Sequence, residues 1–375
     1  MAARRFRLSS FAFALAGIAL AVPLAGFAAT KASSNFNGDL QWRLIGPFRG
    51  GWGTMAQGIP DQPNVYYFAS AGGGVWKTID AGRTWQSLGD DLPASAMGAI
   101  AIAPSNPDVI YLGSGQVAAR WDIQSGNGVY KSTDGGRSWH SVGLQDTKYI
   151  GKILVDPDNP DSVLVGALGH YFGPNHQRGV FRSTDGGKTW KQTLYINDDT
   201  GVVDLARDPQ NANVIYAAAW QVRNYPWLSY FQPNAGPGSG LYKSTDDGQT
   251  WTRISGNGWP TAQLARVGIT AASGNRVYAV VDAATTGSGN VPHAASEDQG
   301  GLYRSDDGGA HWQRVSSESW LENDYFSRIA ADPRNPDIVY SAGQSIRESR
   351  DGGKTWDIIK GAPGGDDYHY VWLNP

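Results

Sequence analysis

An all-β fold of repeated four-stranded units is what this amino-acid sequence predicts. Three observations carry it: a turn phrase that occurs six times, a second phrase that recurs between short apolar runs, and a composition of 49 Gly, 20 Pro, 15 Trp and 17 Tyr in 375 residues. Many short strands joined by turns need such a mixture, and the length gives ample material for a core.

The turn phrase reads Ser or Thr, any residue, Asp, any residue, Gly, two residues, Trp. It runs from Thr78 to Trp85, and again from Ser132 to Trp139, Ser183 to Trp190, Ser244 to Trp251, Ser305 to Trp312 and Ser349 to Trp356. Its aspartates are Asp80, Asp134, Asp185, Asp246, Asp307 and Asp351. Spacings of roughly 44 to 61 residues mark a repeat architecture. Each position solves a turn problem: Asp accepts backbone N–H groups, Gly takes positive φ without steric cost, and the hydroxyls add local hydrogen bonds. Trp opens the next strand with a large apolar plate. These aspartates are therefore expected to be structural, and no catalytic battery is read from them.

The second phrase occupies residues 104–111, 156–164, 208–216 and 332–340, with a degenerate copy at 60–66. Each copy lies between two apolar runs, such as 98–102 and 109–113, which is a strand, turn, strand pattern. Residues 128–131 then lead into the Asp phrase and 138–142 lead out of it. Four strands per repeat is the blade of a β-propeller. Complete blades are expected at 52–90, 95–145, 147–196, 199–258, 263–318 and 325–362. Residues 368–375 match only the first strand of a further blade, so the reading is six complete blades, the start of a seventh, and a chain truncated at its C-terminus.

Ahead of the repeats, Arg4, Arg5 and Arg7 precede an apolar run over residues 11–27, with small residues at Gly26 and Ala28. That is the pattern of a secretory signal cleaved after Ala28. The expected organisation is a signal at 1–28, a linker at 29–41 and the propeller over 42–375. The product would be exported, periplasmic or secreted, with no stable membrane span after cleavage. Cysteine is absent, which excludes disulfides, thiolate metal sites and cysteine nucleophiles. The net charge of −3 becomes more negative once three arginines leave with the signal, so nucleic acid is not an expected partner.

The turn phrase is the Asp-box, or bacterial neuraminidase repeat, and the resemblance extends over nearly all of the chain after the leader. Fuller wording at 42–51, 72–77 and 201–205 is similar to large exported bacterial proteins related to sortilin-type receptors and xyloglucanases, often labelled glycosyl hydrolases. This resemblance implies a β-propeller. For activity it implies either binding or glycoside hydrolysis, because both occur on the same repeat. Xyloglucanases of this kind place their catalytic pair in a cleft between two propellers. Their catalytic Asp phrase matches no position here, and residues 42–47 depart from the Arg-Ile-Pro phrase of a sialidase.

In an up-and-down blade, alternate loops emerge on opposite faces. Turns between the first and second strands share a face with the Asp-boxes and are short. The opposite face carries the long insertions 117–127, 168–178, 220–239 and 285–300, as expected of a scaffold presenting a site on loops. Ligand-binding candidates there are Arg120, Trp121, His170, Tyr171, Arg223, Tyr225 and Trp227, since rings with interspersed donors suit a glycan or an extended peptide. Neighbouring rings and bases are Phe172, His176, Tyr230, Phe231 and His293. Carboxylates gather on the same face: Asp90 with Asp91, Asp146, Asp198 with Asp199, Glu322 with Asp324, and Asp366 with Asp367. Glycoside hydrolysis needs two such groups across the scissile bond. Asp198 and Asp199, beside the longest insertion, are the catalytic candidates. No histidine spacing suggests a metal, no phosphate loop or Gly-x-Ser-x-Gly elbow appears, and no cofactor is expected.

Two functions follow. A module binding protein, peptide or glycan through the long-loop face comes first, because no catalytic phrase carries over. A glycoside hydrolase on a β-glucan-type polysaccharide is the alternative, with a further propeller or domain downstream as a possible partner.

Overall fold

The computed structural model describes residues 51–118, 120, 123–224, 235–283, 299–321 and 326–375. The signal and linker, and the candidates Trp121, Tyr225 and Trp227, lie outside the described residues. Six four-stranded antiparallel sheets follow one another, each with its strands in chain order. The six blades read from the repeats are therefore the observed architecture.

The first strand of each blade is innermost: Gly53–Ile59, Met97–Ala103, Ile150–Val155, Thr200–Arg207, Val267–Ala272 and Arg328–Ala331, with each packing on the next around a central channel. Being covered on both faces, these strands are near-continuous small and apolar runs, and every residue of Met97–Ala103 is buried. The fourth strands, such as His140–Ser141 and Asp357–Lys360, are outermost and exposed.

The Asp-box is a hydrogen-bonded turn that repeats almost atom for atom. In blade 2 the Ser132 hydroxyl donates to Asp134 Oδ1 at 2.7 Å and accepts from the Gly136 amide at 2.8 Å, while the Ser138 amide and hydroxyl donate to the two Asp134 oxygens at 2.9 and 2.6 Å. The equivalent bonds hold Asp80, where the Thr84 hydroxyl and amide and then the Thr78 hydroxyl pull the carboxyl down to about 2. Such carboxylates are ionised and fully engaged in their turns. Gly136 sits at φ 89°, and a Cβ there would come within 2.8 Å of Leu88 in the preceding blade.

That close approach is one half of an inter-blade clamp. Trp139 Nε1 donates to the Leu88 carbonyl at 2.8 Å, Trp190 Nε1 to the Val142 carbonyl at 2.6 Å, and Trp251 Nε1 to Thr193 Oγ1 at 3.2 Å. The second strands add tyrosines: Tyr67 and Tyr216 donate to the carbonyls of Gly135 and Gly308 in the next blade. Blade 1 has no such neighbour on its leading side among the described residues. Trp85 is 41% exposed there, and Ile359, on the trailing side of blade 6, is 51% exposed.

Residues 368–375, expected as the first strand of a seventh blade, form no strand. A lone first strand has no second strand to take its backbone hydrogen bonds. Their side chains instead touch both end blades. Trp372 meets Tyr66 edge-on at 6.0 Å, His369 stacks on Trp52 at 5.8 Å and packs on Phe326 at 5.4 Å, and the Tyr368 amide donates to the Gly343 carbonyl.

Candidate functional site on the long-loop face

The loop at 168–178 is shaped from within by Arg178, which is buried. Its Nε donates to the Asn175 carbonyl and Oδ1 at 3.1 and 3.0 Å, and its Nη2 to the carbonyls of His170 and Gly173 at 2.7 and 3.0 Å. Burial lowers its pKa to about 10, against the pull of Asp199, so it stays charged at neutral pH. Asn175 ties this knot to the neighbouring loop by donating to the Asp146 carbonyl. Arg178→Lys cannot reproduce the planar fork. Hydrogen exchange across 168–178 should become roughly tenfold faster in that variant, the equivalent of one net hydrogen bond, while blade strands keep their protection.

Three acid–base contacts emerge around this loop. Asp198 accepts from the Tyr195 hydroxyl at 2.7 Å and lies 3.3 Å from His176 Nδ1, contacts that hold its carboxyl below the usual range in that order of strength. Asp199 is ion-paired with Arg223, and His170 Nε2 lies 3.0 Å from Asp146. The His176 ring lies 4.2 Å from that of Tyr195. Phe172 and Tyr195, each 39% exposed, leave apolar ring surface beside these carboxylates.

The sequence-derived candidates thus separate. Asp198, Asp199, His170 and Arg223 share this surface. Tyr171 departs from the ligand-facing expectation, because its ring packs with Tyr149, Leu168, Val203, Trp220 and Phe326 in an apolar cluster beneath the loops. Chain direction alternates the side chains, so Tyr171 goes under while Phe172 stays out. Arg120 lies apart, 4.5 Å over the Trp52 ring. Sequence reasoning missed Tyr195 and Arg178. Tyr195 stands three residues before Asp198, a signal that was available.

The central channel opens near Arg120. A cavity of about 280 Å³ is lined by inner-strand residues including Lys152, Asp204, Arg207, Thr270 and Arg328, with Tyr370. Lys152 Nζ donates to the Tyr370 hydroxyl at 2.9 Å, and Arg328 Nη1 pairs with buried Asp204 at 3.4 Å. Above it, burial and then the guanidiniums of Arg266, Arg328 and Arg120 push the His369 imidazole down to about 3.

The family description "BNR/Asp-box repeat" matches residues 181–192, one of the six turns whose hydrogen bonds are given above. The chain is an Asp-box β-propeller protein. Over 92% of its length the propeller is 26% identical to a xyloglucanase of a Paenibacillus species, and over 83% it is 22% identical to a xyloglucanase of Hypocrea jecorina. It spans only 35% and 39% of those two relatives. Among solved structures it is similar to an ancestral GH74 enzyme, with a TM-score of 0.60 and 24% identity over 85% of this chain and 40% of that one. The GH74 xyloglucanase of Xanthomonas campestris gives 0.57 and 22%, over 85% and 46%. At these identities the structures speak for the fold.

Proposed function

We propose that the propeller is part of a glycoside hydrolase acting on a β-glucan-type polysaccharide of the xyloglucan kind. The observation that carries this reading is the alignment with xyloglucanases through nearly the whole chain. It favours the second of the two functions read from the sequence over the binding module. The loop-face chemistry supports it: an ionised carboxylate at Asp198 suits a base or nucleophile, and Phe172 and Tyr195 offer ring faces for sugar stacking. A general acid would be a different group, and glycoside hydrolysis needs both.

Reducing-end release from xyloglucan and other β-glucans tests this. Asp198→Asn should lower kcat by at least ~100-fold, the usual contribution of a positioned base, with little change in polysaccharide binding. Unchanged release would remove Asp198 from the mechanism. No release on any substrate, with glycan binding intact, would restore the binding module.

A seventh blade belongs to the same proposal. Exposed Trp85 and Ile359 occupy the positions that clamp blade to blade elsewhere, and residues 368–375 touch both end blades. A small-angle scattering profile matching a ring of six blades, with no further mass beside blade 1, would contradict it.

A further inference from the structure

We propose that the long-loop end of the central channel is an anion site, holding one small monovalent anion among Gln116, Arg266, Arg328 and His369. The recess there is lined by these four residues with Trp52, Thr54 and Phe326, and it adjoins the larger channel cavity through Arg328, which lines both. Arg120, stacked on Trp52, adds a third guanidinium at the rim.

The chemistry of the lining is one-sided. Gln116 is 3% exposed, and its Nε2 finds no hydrogen-bond partner in the protein. An unpaired amide N–H₂ of this kind costs about 1–3 kcal/mol unless an acceptor reaches it. No carboxylate lines the recess among the described residues. Asp204 is the nearest described acid in the channel, and it meets Arg328 at 3.4 Å from the deeper cavity. Guanidiniums and an amide donor directed at one point make a site for negative charge, strengthened by the low dielectric of a buried position. This arises in a chain whose net charge is −3, so the positive field is local.

Size selects the occupant. The free volume is about 10 Å³, room for about one water-sized centre. A halide, or a single oxygen of a carboxylate, fits; a sulfate or a sugar ring does not. Because Arg266, Arg328, Gln116 and His369 come from blade 5, blade 6, blade 2 and the C-terminal segment, an anion there would join elements distant in sequence on the propeller axis. The site is independent of the proposed hydrolase activity.

The test is thermal unfolding with chloride titrated against methanesulfonate at constant ionic strength, together with ³⁵Cl NMR line width. Chloride should raise the melting temperature saturably and broaden the line. Gln116→Glu places the protein's own carboxylate at the site, so it should be at least as stable and should lose both responses. Gln116→Met keeps the shape without the donor and should weaken chloride binding. Formate that competes with chloride would identify a carboxylate group as an acceptable occupant; formate without effect would restrict the site to halide. A response that never saturates, or one that survives unchanged in Gln116→Glu and Gln116→Met, would overturn the proposal.

Discussion

Trp139→Ala should destabilise the protein by about 3 kcal/mol, whereas Trp85→Ala, the same letter of the same phrase, should cost about 1 kcal/mol or less. Trp139 is partly buried against the core that contains blade 1, and its Nε1 donates to the Leu88 carbonyl. Truncation removes the apolar contact, opens a cavity between blades, and leaves that carbonyl without its donor, three costs that act together. Trp85 keeps contact only with its own blade, edge-on to Phe68 at 4.9 Å, and is exposed on its leading side. Urea midpoints of the two variants, compared at equal m-value, read the difference. Equal losses would mean that the Asp-box tryptophan stabilises its own turn, and the clamp between blades would lose its basis.

Acidification from pH 7 to 4 should cost about 3 kcal/mol through His369 alone, at about 1.4 kcal/mol per unit of pKa difference. The sign follows from which state binds the proton. His369 titrates near 6.5 when unfolded and near 3 in the native protein, held down by burial and then by Arg266, Arg328 and Arg120. Above pH 6.5 both states are neutral and nothing is lost. Between 6.5 and 3 the unfolded state takes up a proton that the native state refuses, so stability falls steadily, and below 3 the loss levels off. The Asp-box carboxylates lie in a different window. Asp80, Asp185 and Asp246 are held at about 2 by hydrogen bonds within their turns, so their contribution is present above 3.8 and fades as pH falls towards 2. A slope between pH 6 and 4.5 therefore belongs to the histidine. His369→Asn should flatten it in urea midpoints measured across that range. If residues 366–375 undock before the blades unfold, the cost is capped at the undocking free energy, and hydrogen exchange would show faster amides in that segment at pH 4.5. A slope unchanged in the variant would assign it elsewhere.

The candidate surface was only partly legible in the sequence. Asp198 and Asp199 could be found because they fall in a loop between blades, on a face that strand order alone assigns. What they do there was not legible. Asp199 is committed to Arg223 and Asp198 to Tyr195 and His176, pairings that depend on where two insertions fold back. Tyr171 and Phe172 are adjacent rings in one loop, and no local rule says which is covered. The apolar cluster that takes Tyr171 is assembled from several blades, including Phe326 far along the chain. The seventh-blade strand expected at 368–375 failed for a related reason: strand formation needs a partner backbone, and the residues alone do not supply one.

The sequence by itself determined the repeat, the turn and the blade, because these are local. Ser132, Asp134, Gly136 and Ser138 satisfy one another within a few residues, and alternating apolar runs dictate which strand faces what. Tertiary structure alone decided which tryptophan is a clamp and which is exposed, and it brought Gln116, Arg266, Arg328 and His369 together on the axis. Those properties depend on what stands beside each blade. Burial, desolvation and the summed field of distant charges are set by neighbours in space, and spacing along the chain carries no record of them.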